Sequence, residues 1–174
     1  QDVVIHLSCK DWNRNGLQSH AWKLASEGFE NILALSGDYP MDGYNGQASG
    51  VFDMDSVGLL KMLSDMNAGL ESRSPKGRKV QMKSTNFFLG TVVNNFKRHE
   101  NEIMPQYFKL AKKVESGAAF VINQIGYNSR KMDELLKYMV FKGIDLPVLA
   151  NVYVLSGPAA QYFNSGRIPG VIVS

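Results

Sequence analysis

The sequence predicts a parallel α/β fold, and three observations carry the prediction. Short apolar segments alternate with amphipathic helical segments six times along the 174 residues. Each connection between apolar segments is long enough to hold a helix, and a helix-length crossover returns the chain to a parallel neighbour. The apolar segments are nearly continuous rather than alternating, as in sheets covered on both faces. Two architectures satisfy these conditions: an open doubly wound sheet and a (β/α)8 TIM barrel. No G-x-G-x-x-G turn follows the first strand, which counts against a dinucleotide-binding doubly wound unit. A whole barrel usually takes ~250 residues, so about six βα units in a single domain over residues 1–174 predict an incomplete one.

The elements follow in order. The first strand is Val3–Leu7. A helix over Gly16–Gly28 places Leu17, Trp22, Leu24 and Ala25 at helical spacing, and Gly28 stops it. The second strand, Asn31–Leu35, ends in Ser36-Gly37-Asp38, and a loop runs from Tyr39 to Gly50. Asp53 or Asp55 caps the next helix, whose apolar positions are Val57, Leu59, Leu60 and Leu63. The basic run from Arg73 to Lys83 lies among Ser, Pro and Gly and predicts a solvated loop. The third strand, Phe87–Val93, is broken by Asn94-Asn95. A helix over Ile103–Ser116 ends at Gly117, and the fourth strand is Ala119–Gln124. Ser129 caps a helix over Arg130–Lys142, which Gly143 ends. The fifth strand is Pro147–Val154, followed by a helix from Pro158 to Asn164 and a sixth strand, Gly170–Val173. The chain opens and closes inside strands and has no initiator Met. This predicts a piece of a longer protein, whose two outer strands need partners.

Composition narrows the function. Hydrophobic residues at 44% and charged residues at 20% are ordinary for a globular domain. A net charge of +3, dispersed along the chain, argues against a nucleic-acid partner. Cys9 is the one cysteine, so there is no internal disulfide and no zinc cluster, and a reducing, cytoplasmic setting fits. No apolar run reaches the ~18 residues of a membrane span, and the first residues read as a strand rather than a signal peptide.

In parallel α/β folds ligands sit at the carboxyl ends of the strands. The polar residues there are His6, Ser8 and Cys9; Ser36, Gly37 and Asp38; Asn94, Asn95 and Lys97; Asn123 and Gln124; and Tyr153 with Ser156. Asp38 directly after Gly37 would project its carboxylate from this rim, or else serve the turn itself. Gln124 offers a neutral amide that donates and accepts at once, which suits a heterocycle edge. His6 within an apolar strand is read equally as a core histidine. Lys112 and Lys113 close a helix and complement its dipole. Trp12, Trp22, Tyr107 and Tyr138 read as packing. No Ser-His-Asp or Cys-His arrangement, P-loop or metal-ligand motif is present.

Several blocks resemble the methylenetetrahydrofolate reductase family. They are His6-Leu7-Ser8-Cys9, Asn13-Arg14-Asn15, the run Asn31 to Pro40 (NILALSGDYP), Val51 to Val57 (VFDMDSV), Phe120 to Gln124 (FVINQ) and Ile168-Pro169-Gly170. They fall in the family's order across the whole chain, and NILALSGDYP is the most specific. The resemblance implies a (β/α)8 barrel whose third strand is the first strand here, with FAD across the carboxyl rim. Matching flavin-contacting positions are His6, Leu35, Ser36, Gly37, Asp38, Phe52 and Asp53, with Lys97, Lys112 and Lys113 as counterparts of basic residues near the cofactor's phosphates. Asp38 matches an acid facing both flavin and folate, and Gln124 a glutamine that binds the pterin. The implied reaction is hydride transfer from reduced FAD to 5,10-methylenetetrahydrofolate, giving 5-methyltetrahydrofolate. NAD(P)H or a partner electron-donor subunit would reduce the flavin, and a homo-oligomer is compatible with the family.

Three departures from the family pattern accompany the resemblance. The family's general acid, a glutamate on the first barrel strand, has no counterpart here. Many relatives carry Arg where this chain has Ser36. A Tyr that commonly follows the fifth barrel strand is replaced by Asn94-Asn95. An alternative reading is therefore a flavin-free folate-binding module or a partner subunit in a methyl-transfer or corrinoid pathway, and a third is a barrel-like scaffold for association.

Overall fold

The computed structural model describes residues 3–40, 43–166, 168 and 170–172. In chain order the elements are β1 (Ile5–Ser8), α1 (Arg14–Ser26), β2 (Asn31–Leu35), α2 (Ser56–Ala68), β3 (Glu71–Arg73), β4 (Lys79–Gln81), β5 (Phe88–Val93), α3 (Glu100–Glu115), β6 (Phe120–Asn123), α4 (Ser129–Phe141), β7 (Val148–Leu149) and α5 (Gly157–Asn164). Five strands form a mostly parallel sheet in the order β1-β2-β5-β6-β7. The fold is α/β as predicted, and the sheet with its interleaved helices agrees with an incomplete TIM barrel. The chain divides into two compact units, residues 1–90 with 116–118 and residues 91–115 with 119–174.

In the first unit β1 and β2 pair in parallel, from Ile5 with Ile32 to Ser8 with Leu35. Leu7, Ile32 and Ala34 bury against Leu17, Ala21 and Leu24 of α1 and Leu59, Leu60, Leu63 and Met66 of α2. The three- and four-residue spacings put these side chains on one stripe of each helix. Helix α1 starts at Arg14, two residues before the predicted start, because Asn13 caps it: its Oδ1 accepts the Gly16 N–H at 2.8 Å. Of the two candidate caps for α2, Asp55 does the work, accepting the Val57 and Gly58 N–H groups at 3.1 and 3.0 Å.

The predicted basic loop is instead an antiparallel hairpin, β3 with β4. Ser74 and Gly77, the latter at φ +73, close its turn, with Ser74 N–H donating to Arg78 O at 2.9 Å. All six hairpin residues are exposed, so no apolar periodicity announced the strands.

In the second unit β6 pairs in parallel with β7. Val93, Val121, Ile103, Tyr107, Leu110, Leu135 and Met139 form its core. The Tyr107 and Tyr138 rings stack at 4.7 Å between α3 and α4. Helix α3 begins three residues before the predicted Ile103, and the Glu102 carboxylate accepts the His99 N–H at its start (3.2 Å). Asn128, not Ser129, caps α4, accepting from Arg130 and Lys131.

Two predicted strands are corrected. The fifth, Pro147–Val154, shrinks to the two residues of β7. Beyond it the backbone is held by side chains: Asn151 N–H donates to Asn123 Oδ1 at 2.7 Å, and the Tyr127 hydroxyl donates to Tyr153 O at 2.7 Å. Ser156 caps α5, accepting from Ala159 N–H. The predicted sixth strand, Gly170–Val173, is not a strand over residues 170–172, where Gly170 takes φ +74 in a turn. Pro169 and Val173 lie outside the described residues.

Candidate functional site

The carboxyl ends of β1 and β2 carry most of the candidate residues of the first unit. In β1, Leu7 points into the helix-covered core while His6 is exposed, because successive side chains of a strand alternate faces. His6 is therefore not a core histidine. Its register partner Leu33 and the next pair, Ser8 with Leu35, lie on the same face, opposite the helices.

The Ser36-Gly37-Asp38 turn is built tightly onto the end of β1. Gly37 has φ +85, and a Cβ there would fall against Ser8 Oγ and within 2.7 Å of Lys10 Cβ. Glycine is thus required twice, by the backbone angle and by the close approach. The turn leaves Asp38 exposed. The Ser36 side chain points the other way: its Oγ accepts the Ser56 N–H at 3.2 Å and donates to Ser56 Oγ at 3.1 Å. The bond ties the end of β2 to the start of α2.

Phe52 is half-buried against the core and meets Tyr39 edge-on, with ring centroids 5.1 Å apart at 63°. Asp53 is not an open carboxylate. Arg14 donates to it through its backbone N–H (2.8 Å) and Nε (3.0 Å) to Oδ2, through Nη2 to Oδ1 (3.2 Å), and through Nη2 to the Asp53 carbonyl (3.2 Å). These side-chain hydrogen bonds hold the Asp53 carboxyl below its usual range and raise the Arg14 guanidinium above its own. Arg14 received no role from the sequence. Its position directly after the cap Asn13, at the helix end that follows a strand's carboxyl end, was the available signal.

In the second unit Gln124 follows β6, and its backbone N–H donates to Val93 O at 2.9 Å. Its side-chain Oε1 accepts the Ile125 N–H at 2.9 Å, which orients the amide. A Cβ on Gly170 would crowd Asn94 Nδ2 at 2.9 Å and Gln124 Nε2 at 3.3 Å, and Asn94 Nδ2 donates to Gly170 O at 2.8 Å. Asn94, Gln124 and Gly170 therefore form one polar corner. Lys97 is partly buried in the loop after β5.

Lys112 and Lys113 do not join this group. They occupy the last turn of α3, a 16-residue helix spanning roughly 24 Å, and its first turn is the one that follows the carboxyl end of β5. Lys112 is exposed. Lys113 is buried, with its ammonium donating to Val92 O at 2.6 Å. That bond ties the end of α3 to β5.

Among the described residues, no group of three or more His, Cys, Asp or Glu is placed to hold a metal, and no helix is long and apolar enough to cross a membrane. The donor set fits a polar heterocyclic cofactor in part. His6, the Gly37 backbone and Asp38 stand exposed at adjacent strand ends, while Ser36 bonds to Ser56 and Asp53 to Arg14.

A family model described as methylenetetrahydrofolate reductase matches residues 1–164. The match spans nearly the whole chain and every element from β1 to α5. It supports a reductase role in folate one-carbon chemistry, and the TIM barrel of that family agrees with the sheet seen here. The chain belongs to the methylenetetrahydrofolate reductase family.

Proposed function

We propose that the protein reduces 5,10-methylenetetrahydrofolate to 5-methyltetrahydrofolate with FAD as its redox cofactor. The observation that carries the reading is the turn after β2, where the positive φ of Gly37 leaves Asp38 exposed, at the end of a strand paired with the one that exposes His6. His6, Leu35, the Gly37 backbone, Asp38 and Phe52 would hold the cofactor. FAD, when bound, supplies hydride transfer. The chain's own residues supply position and charge. The Asp38 carboxylate sets a negative potential beside the reacting rings. Gln124, whose carbonyl oxygen accepts the Ile125 N–H, keeps an amide donor that would bind a pterin edge. Lys97, partly buried in the loop after β5, would face an anionic group of the cofactor.

The test is the absorbance spectrum of the purified full-length protein supplied with FAD. Flavin bands near ~450 nm that bleach on adding 5-methyltetrahydrofolate support the reading, since the reaction run backwards reduces the cofactor. Asp38→Asn and Gln124→Ala should then slow the bleaching. A protein that binds 5-methyltetrahydrofolate but never retains FAD would sink the flavin part of the proposal.

A further inference from the structure

We propose that Arg14 is a positioning residue which, through Asp53, holds the Phe52 ring in place for the ligand of the reductase site. The inference rests on the flavin and folate reading above. It concerns two loops of the first unit that meet in register. Asp11 N–H donates to Val51 O at 2.8 Å, and Asp11 Oδ1 accepts the Val51 N–H at 3.3 Å. Trp12 and Phe52 form the next rung, a parallel bridge. The four donor contacts from Arg14 to Asp53 close the ladder.

The local chemistry shows what the ladder is built around. Asp11 adopts φ +62, a left-handed conformation that aspartate enters more readily than most residues. The Trp12 ring lies over the first turn of α1, and a Cβ on Gly16 would come within 2.8 Å of it. Phe52 sits between the Val51 and Asp53 rungs with its ring against Tyr39, which is itself 74% exposed. One side of Phe52 packs against the core of the first unit, and the rungs on either side fix the backbone that carries it. An exposed ion pair alone contributes little to stability. A planar fork reinforced by a backbone N–H and a backbone carbonyl fixes direction as well, which a lysine's point charge does not.

The experiment uses the full-length protein with Arg14→Gln, Asp53→Asn, the double variant and Arg14→Lys. Two readouts are taken: amide hydrogen exchange at residues 51–53 without ligand, and the dissociation constants of FAD and of 5-methyltetrahydrofolate. Exchange at 51–53 should quicken by about tenfold in Arg14→Gln. FAD should bind about tenfold more weakly. The double variant should be no worse than either single, as expected of partners in one interaction, and Arg14→Lys should resemble Arg14→Gln. A merely structural pair would lower the melting temperature and leave the affinity of the folded protein unchanged. Unchanged exchange overturns the clamp, and faster exchange with unchanged affinity overturns the positioning role. If the wild-type protein binds neither probe, the reductase reading fails and the positioning role falls with it, while the exchange data still decide the clamp.

Discussion

Ser36 and Ser56 hold each other through two hydrogen bonds, Ser56 N–H to Ser36 Oγ at 3.2 Å and Ser36 Oγ to Ser56 Oγ at 3.1 Å. Ser56 is 1% exposed, so its N–H has no access to water in place of Ser36. The pair fastens the end of β2 to the first residue of α2. Ser36→Ala should therefore cost about 1–2 kcal/mol, the penalty of a buried donor left without its partner. A denaturant titration that shows no shift in midpoint would contradict this account.

Gly37→Ala should be costlier than Gly28→Ala, although the two glycines have nearly equal φ, +85 and +81. Both substitutions place an L side chain in the left-handed region, at about 1–3 kcal/mol. Only Gly37 also meets Ser8 and Lys10, whereas nothing lies within 4 Å of a Cβ at Gly28. The difference between the two melting temperatures isolates the steric part, and equal losses would show that the close approach relaxes freely.

The placement of the two lysines of α3 has its own test. Lys113→Met should destabilise by about 1–3 kcal/mol, because Val92 O loses its donor. Lys112→Ala should stay within about 0.5 kcal/mol, as for most exposed positions. Neither should change FAD affinity once the folded fraction is taken into account. A specific loss of FAD binding in Lys113→Met at unchanged stability would put that ammonium back among the cofactor contacts.

Tyr107 makes stability sensitive to alkali. Burial pushes its phenol up to about 12, with Glu134 adding to the effect. In the unfolded chain the phenol loses its proton near ~10. Between these values the folded state holds more protons than the unfolded one, so stability falls as pH rises. Below the unfolded value the contribution is complete. Tyr107→Phe removes the titrating group and should flatten the decline over that window, followed by unfolding at a series of alkaline pH values. Because the Tyr107 hydroxyl is buried without a hydrogen-bond partner, the substitution should cost little at neutral pH.

The sequence carried the apolar pattern well. Leu59, Leu60 and Leu63 announced α2, and Ile32 to Leu35 announced β2, since burial on a helix stripe or a covered sheet forces that periodicity on the chain. The β3–β4 hairpin left no such trace, because all of its strand residues face solvent. The extent of β7 was also illegible. Asn151 could have continued a ladder, but its N–H goes to Asn123 Oδ1 and its carbonyl to Gly126 N–H.

For the candidate site the division is similar. The motif order, the exposed Asp38 after Gly37 and the amide at Gln124 were legible from residue type and position alone. Which polar groups are already spent was not. Ser36 pairs with Ser56 across 20 residues, Asp53 with Arg14 across 39 and Lys113 with Val92 across 21. The family and the alternation of strand and helix were thus determined by the sequence itself, because short-range periodicity and motif spacing are written along the chain. The commitment of each side chain was decided by tertiary structure, because a hydrogen bond is satisfied by whichever partner folding brings within about 3 Å, however far away in sequence.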